Sequence, residues 1–483
     1  VTEETSKNRE TRMEPSIWQQ LIDEIQAFPA DLRDLPVWTQ ASPREIRAQL
    51  ESRYTFDTPV PLETVAADAM QLLRQWTVHV THPRYFGLFN PSVRQAGILA
   101  DALVALYNPQ LAAWSHAAAA NEIERHTLKQ FAAALSMDGE THANFTSGGA
   151  EANLSAVLAA LAYHFPDAGE LGLAGLPARP AIYATGETHH SFVKIARMSG
   201  LGTNSIRQIP TTDEFTMDTA ALKRQIRADL DQGWHPLLIV GTAGTTSTGA
   251  VDPLPAIADI AADCGAWFHA DGAWGASAVL SPRLRPELAG IERADSVTWD
   301  AHKWLSVPMG AGMFFCRHPE AVRAAFAVSA TYMPGKTGNS SDPYAVTAQW
   351  SRRAIGLKVF MALAEIGLDG YGALIDHQAR MGDFLRERLL RDGWQLVNHT
   401  RLPVVCFTHP DIRAGRCRTR DVLKTIYQRG RVWISDVVLE GQQRVLRACI
   451  TSFESNEADV ECLLEELEHA RSLKLSTPPK TGA

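Results

Sequence analysis

Four short stretches place polar side chains directly after apolar runs, where chemistry is worth seeking. Thr146-Ser147-Gly148-Gly149-Ala150-Glu151-Ala152-Asn153 opens a helical period. Small residues there let a backbone approach a ligand, and free N–H groups at a helix N-terminus bind an anion such as phosphate. An ordinary N-cap draws on the same residue types. Asp271 ends the apolar run Trp267-Phe268-His269-Ala270 and is followed by Gly272-Ala273. A carboxylate so placed needs a cationic partner or caps a helix, and Ala273 is small enough for a flat ring to lie against it. Lys303 follows Val297-Thr298-Trp299 and sits among Trp299, His302 and Trp304. A solvated surface position is the common fate of a lysine. A desolvated amine, by contrast, is what Schiff-base formation with a carbonyl requires. In Thr188-His189-His190-Ser191, no carboxylate or third histidine lies at metal-ligand spacing. Stacking on a flat ring is assigned to His190, and His189 is read as its solvated neighbour.

A phosphate nest, a stacking imidazole, a carboxylate for a pyridinium nitrogen and a Schiff-base lysine together make the parts list of a pyridoxal-phosphate site. These parts must be held at the ends of strands. Ala181–Ala184, Ser205–Ile209, Leu237–Val240, Ala266–Ala270, Ser296–Trp299 and Gly312–Phe315 are short β-rich runs separated by helical periods. Nearly continuous apolar strands between helices imply a mostly parallel sheet covered on both faces, with ligands beyond its carboxyl ends. Before them, Ile17–Phe28 and Val65–Val78 read as amphipathic helices flanking a Pro-containing stretch, Pro29–Pro61. After them come a Gly/Ser/Pro-rich loop from Tyr332 to Pro343, read as a surface connection or an active-site lid, and helical segments Gln349–Ile366 and Tyr371–Arg391. Short runs at Trp394–Val397, Val404–Thr408, Val432–Val438 and Val445–Thr451 and a last helix predict a small α+β unit with an antiparallel sheet. The expected division is residues 1–84 as an N-terminal helical segment lying on a partner subunit, 85–375 as the large α/β domain, and 376–483 as the small C-terminal domain.

Composition excludes several classes. The 483 residues are 45% hydrophobic and 21% charged with a net charge of -8, which fits a globular chain and gives no electrostatic reason to expect nucleic acid or anionic lipid. No apolar run approaches the roughly 18 residues of a spanning helix. The six cysteines form no C-x-x-C pair and fall mostly in apolar runs, which predicts buried free thiols in a reducing, cytoplasmic compartment and no metal cage.

The motifs Ser147–Asn153, His190-Ser191, His269-Ala270-Asp271-Gly272-Ala273 and Asp295–Trp304 resemble those of the group II pyridoxal-phosphate-dependent amino-acid decarboxylases, which include aromatic-L-amino-acid, glutamate and diaminobutyrate decarboxylases. The resemblance spans roughly residues 65 to 465. It implies a fold-type-I homodimer, with a mostly parallel seven-stranded sheet and sites at the subunit interface, that decarboxylates an L-amino acid with pyridoxal 5'-phosphate. By motif matching, Lys303 binds the cofactor aldehyde, Asp271 keeps the ring nitrogen protonated and His190 stacks on the ring. Gly149, Ala150 and His302 hold the phosphate, with Thr246, Ala273 and Asp300 as further contacts. Tyr332 matches a loop tyrosine that protonates the substrate carbon. Asp300-Ala301 departs from the Asn-Pro of several relatives. Another fold-type-I reaction (transamination or carbon–carbon lysis) and a non-catalytic regulatory relative draw on overlapping parts. The substrate pocket is assigned to Phe86, Phe89 and Trp114, leaning towards an aromatic substrate, with Arg84, Arg352 and Arg353 available to meet an acidic one.

Overall fold

The computed structural model describes residues 15–89, 92–137, 139–328, 342–439 and 444–475. Strands β1 (Tyr85–Phe86), β2 (His142–Thr146), β3 (Arg179–Thr185), β4 (Ile206–Ile209), β5 (Trp234–Thr242), β6 (Trp267–Asp271), β7 (Ser296–Asp300) and β8 (Gly312–Cys316) precede four more in the C-terminal part: β9 (Gln395–Leu396), β10 (Val404–Thr408), β11 (Trp433–Val438) and β12 (Arg444–Cys449). The large sheet has seven strands in the order β2-β8-β7-β6-β5-β3-β4. Its neighbours are parallel except at β8, which runs against both β2 and β7. The resemblance thus gave the strand number and the sheet class. The edge strand β2 is an addition, because His142-Ala143-Asn144 at its start breaks the apolar run that marks the others.

Alternation within strands shows why both faces need helices. Ile239, Phe268, Val297 and Phe315 join one buried cluster, while Leu238, Val240, Trp267 and Phe314 join another on the opposite face. Each fully buried side chain of this size stabilises the fold by about 1.5–3 kcal/mol relative to exposure. One face is covered by the helix Gly149–His164 and its neighbour Ser191–Met198. The other is covered by Leu254–Cys264 and a long helical stretch, Gly356–Arg391. That stretch is broken at Gly367, whose φ of 68° lies in the left-handed region. The two segments read from the sequence are therefore real, although the first begins at Gly356 rather than Gln349.

The second sheet, in the order β1-β11-β12-β10-β9, is antiparallel except where β1 joins β11 in parallel. Tyr85 and Phe86 therefore pair with the C-terminal strands, at Trp433 and Ile434. The N-terminal segment carries helices Pro15–Asp31, Pro43–Arg53 and Leu62–Trp76. The middle one lies in the stretch read as a connection. Its start was legible, since Ser42 accepts from the Glu45 backbone N–H and Pro43 stands at the first helical position. All six cysteines are free, and five are buried. Among the described residues no helix is long and apolar enough to cross a membrane.

Candidate active site

Strands β2, β5, β6 and β7 end at Thr146, Thr242, Asp271 and Asp300, so the parallel sheet delivers these groups to one edge. Just beyond it lies a cavity of about 220 Å³. Gly149, Ala150, Thr246, Asp271, Ala273, Asp300 and Lys303 line it together, with Phe89 at its wall. Seven of the anticipated cofactor residues thus meet in one place from sequence positions 149 to 303.

Lys303 Nζ lies 3.1 Å from Oδ2 of Asp300, and the lysine side chain keeps 22% of its surface accessible while that of Asp300 keeps 2%. The other oxygen of Asp300, Oδ1, is buried without a protein partner. A buried acceptor of that kind calls for a ligand donor or a proton. His302 Nε2 stands 3.8 Å from Oδ2 of Asp300, and its Nδ1 accepts the Ala311 backbone N–H. Burial lowers the His302 pKa, opposed by Asp300. The neutral ring therefore carries its proton on Nε2, on the Asp300 side.

The helix start fits an anion. Gly149 and Ala150 lie in the first turn of a sixteen-residue helix and line the cavity. A Cβ on Gly149 would lie 2.9 Å from Asp300 Oδ2 and 3.2 Å from the Ala273 methyl, so only glycine allows this approach. Ser147 ties the entry down by donating from both N–H and Oγ to Glu151, which Gln349 also grips.

Asp271 accepts from the Ala273 N–H at Oδ1 and from Asn153 Nδ2 at Oδ2. Thr246 sits on a loop held from the small sheet: Arg447 Nε donates to the carbonyls of Thr246 and Ser247, and Cys406 Sγ reaches Ser247 O. Phe89 stacks on Trp274 at 4.4 Å between centroids, and Trp274 on Trp304 at 4.5 Å, forming a rigid aromatic wall beside Lys303.

Three expectations need correction. His189, not His190, lines the cavity, although both rings keep exposed surface. Successive residues at a helix entry are turned by about 100°, and the Ser191 N–H donates to His189 Nδ1, so only one imidazole of the pair can face the site. Partial burial lowers the His189 pKa, opposed first by Asp271. Phe86 is fully buried in the core of the small sheet, because β1 pairs there. Trp114 lines a separate hollow and donates from Nε1 to Glu122. Of the three pocket candidates only Phe89 reaches the cavity. The arginines are engaged elsewhere: Arg84 with Asp459, Arg352 with Glu124 and Arg353 with Asp101. Tyr332 lies outside the described residues. Sequence reasoning missed Asn153, Thr242, Gly244 and Trp274 as lining residues. Among the described residues no cluster of three or more metal-ligating side chains occurs.

The donor set fits a phosphorylated pyridine aldehyde: an amine, an anion nest, a carboxylate and an unpartnered buried oxygen surround one cavity. Comparison with known proteins agrees. The sequence model described as the pyridoxal-dependent decarboxylase conserved domain matches residues 43–409. An aromatic-L-amino-acid decarboxylase of Bacillus atrophaeus is 29% identical over 380 residues, covering 77% of each chain. The crystal structure of mouse CSAD superposes with a TM-score of 0.87 at 25% identity, over 95% of this chain and 99% of that one. Oryza sativa TDC, solved with PLP and tryptamine, gives a TM-score of 0.87 at 26% identity over 95% and 98%.

Proposed function

The chain belongs to the pyridoxal-dependent decarboxylases and is a pyridoxal-phosphate-dependent amino-acid decarboxylase; within that class, we propose that its substrate is an aromatic L-amino acid. One observation carries the proposal. The cavity wall is aromatic, from Phe89 and Trp274, and its described lining residues include no arginine and no lysine besides Lys303. An acidic side chain would meet no arginine among these lining residues and no cation besides Lys303, which makes its entry into a partly desolvated site costly. The aromatic-L-amino-acid and tryptamine-bound relatives support the same reading.

Bound pyridoxal phosphate supplies an electron-accepting pyridinium ring on which the substrate's α-carboxylate can be lost. The residues divide the remaining work. Lys303, whose amine lines the cavity, would hold the cofactor through its aldehyde carbon. Asp300, 3.1 Å away, orients the lysine side chain in the cavity. Gly149 and Ala150 offer helix-start N–H groups to the phosphate, with the His302 Nε2 proton and Thr246 beside them. His189 would cover one face of the ring, and the small Ala273 would permit contact on the other. Asp271 holds a proton at the ring nitrogen, since opposed charges in a dry site favour the ionised pair. Tyr332 delivers a proton to Cα once carbon dioxide has left, a general-acid contribution typically of about 10²–10⁴-fold. The enzyme is proposed to act as a homodimer, with Trp18, Leu21 and Ile22 of the first helix, each left exposed, lying against the partner. The six free thiols support a cytoplasmic setting.

Carbon dioxide release from L-tryptophan, L-tyrosine, L-glutamate and L-lysine tests the substrate class. The expected result is kcat/KM for an aromatic substrate at least tenfold above the others. A preference for glutamate or lysine overturns the proposal while leaving decarboxylation intact.

A further inference from the structure

The polar interior of the large sheet contains a chain of hydrogen bonds whose direction can be worked out atom by atom. Trp267, His269 and Asp271 alternate along one face of β6, and the β6–β7 register sets Ser296 beside His269 and Thr298 beside Asp271. Asn153, one turn inside the helix that opens at Gly149, closes the group from above. His269, Ser296 and Thr298 have no accessible surface, and Asn153 keeps 1%.

Asn153 makes four bonds. Nδ2 donates to Asp271 Oδ2 at 3.0 Å and to Ser191 Oγ at 3.1 Å, while Oδ1 faces Thr298 Oγ1 at 2.7 Å and His269 Nε2 at 3.1 Å. An ionised Asp271 only accepts, so the amide must turn its NH₂ towards it and its oxygen towards His269 and Thr298. Both of these must then donate. His269 carries its proton on Nε2, with Thr298 Oγ1 as a weaker second acceptor at 3.4 Å. A neutral ring leaves Nδ1 to accept, so the Ser296 hydroxyl donates to it at 2.8 Å, and the serine oxygen accepts from Trp267 Nε1 at 2.8 Å. Burial supports the neutral ring by lowering the His269 pKa to about 4. From Trp267 through Ser296, His269 and Asn153, each link donates in the direction of Asp271.

We infer that Asn153 and His269 are positioning residues that keep Asp271 ionised opposite the cofactor's ring nitrogen, fixing on which side of that contact the proton resides. Donors to a carboxylate favour its charged form, so breaking the chain upstream lets the proton move from the ring nitrogen to Asp271. The inference rests on the proposed contact between Asp271 and the ring.

The test is nitrogen-15 NMR of holoenzyme loaded with pyridoxal phosphate labelled at the ring nitrogen. Wild type is expected at the protonated position. His269→Leu removes the donor to Asn153 and should shift the signal towards the unprotonated position. His269→Gln, which can restore a donor near Nε2, should return it. Thr298→Val removes the second donor at nearly constant volume and should move the signal the same way by less, which keeps the test open if His269→Leu does not fold. A protonated wild-type ring whose signal stays put in His269→Leu and Thr298→Val overturns the inference alone. An unprotonated wild-type ring removes the Asp271 contact itself, and the inference with it.

Discussion

A single methyl group added at Gly149 probes the junction of phosphate nest, Asp300 and Lys303. The new Cβ would sit 2.9 Å from Asp300 Oδ2 and 3.2 Å from the Ala273 methyl. Ordinary C···O approach is about 3.3–3.6 Å, so roughly half an ångström must be found. Asp300 cannot yield freely, being buried and bound to Lys303 at 3.1 Å. Overpacking of this kind costs about 1–3 kcal/mol. Relief by moving the helix start away from Asp300 lengthens every contact to the phosphate, so much of the cost should appear in cofactor affinity. At 1.4 kcal/mol per factor of ten, Gly149→Ala should bind pyridoxal phosphate roughly 5- to 150-fold more weakly. Titration of apoenzyme with cofactor, followed by visible absorbance, measures this directly. Gly169→Ala is the control: a Cβ there meets nothing within 4 Å, so affinity should not change. If Gly149→Ala binds cofactor within twofold of wild type and unfolds at the same urea concentration, the reasoning about this junction is wrong.

Other consequences follow from the same structure. Tyr332→Phe should keep the cofactor's visible absorbance yet lose most amine production, with aldehyde and peroxide appearing instead; unchanged amine turnover would remove Tyr332 from the chemistry. Arg352 and Glu124 form a nearly fully buried pair, with Glu124 also accepting the Gly356 N–H. Arg352→Met strands that carboxylate and should lower stability by about 3–5 kcal/mol in urea unfolding, while the double variant Glu124→Leu/Arg352→Met should recover most of it. Burial holds His82, His142, His164 and His269 at about 4, against about 6.5 when unfolded. Below pH 6.5 the unfolded chain therefore binds more protons. Stability should fall from pH 6.5 towards 4, with each histidine contributing up to about 1.4 kcal/mol per pH unit. Asp252, raised by burial to about 6, acts in the opposite sense, as do Glu124 and Glu454, but burial also lowers His189, His235, His302 and His409, so the histidines prevail. Urea midpoints that stay level between pH 7 and 5 would contradict this balance.

The strands that carry the site were legible because a doubly covered sheet demands continuous apolar runs, and polar residues just after those runs singled out Asp271 and Lys303, which line the cavity; Asp300 came only with the family motif. The His189–His190 pair was not resolved, since identical neighbours differ only in rotation about a helix entry that spacing alone does not set. Phe86 was misplaced because its partner, Ile434, lies 348 positions away, and no local pattern announces that β1 leaves the large sheet. The polar face of β6 was hidden in plain view. Trp267, His269 and Asp271 alternate at a strand's period, but taking the run as wholly apolar obscured the network that converges on Asp271. Trp114 and the three arginines were ambiguous in kind, since aromatic and cationic residues serve core and surface far more often than they serve substrates.

The account depends above all on Lys303 as the residue that captures the cofactor. Borohydride reduction of the yellow holoenzyme, followed by peptide mapping, should bleach the visible band and leave the pyridoxyl mass on the peptide containing Asp300-Ala301-His302-Lys303, at Lys303. Mass on another lysine, or no bound chromophore to reduce, would contradict it.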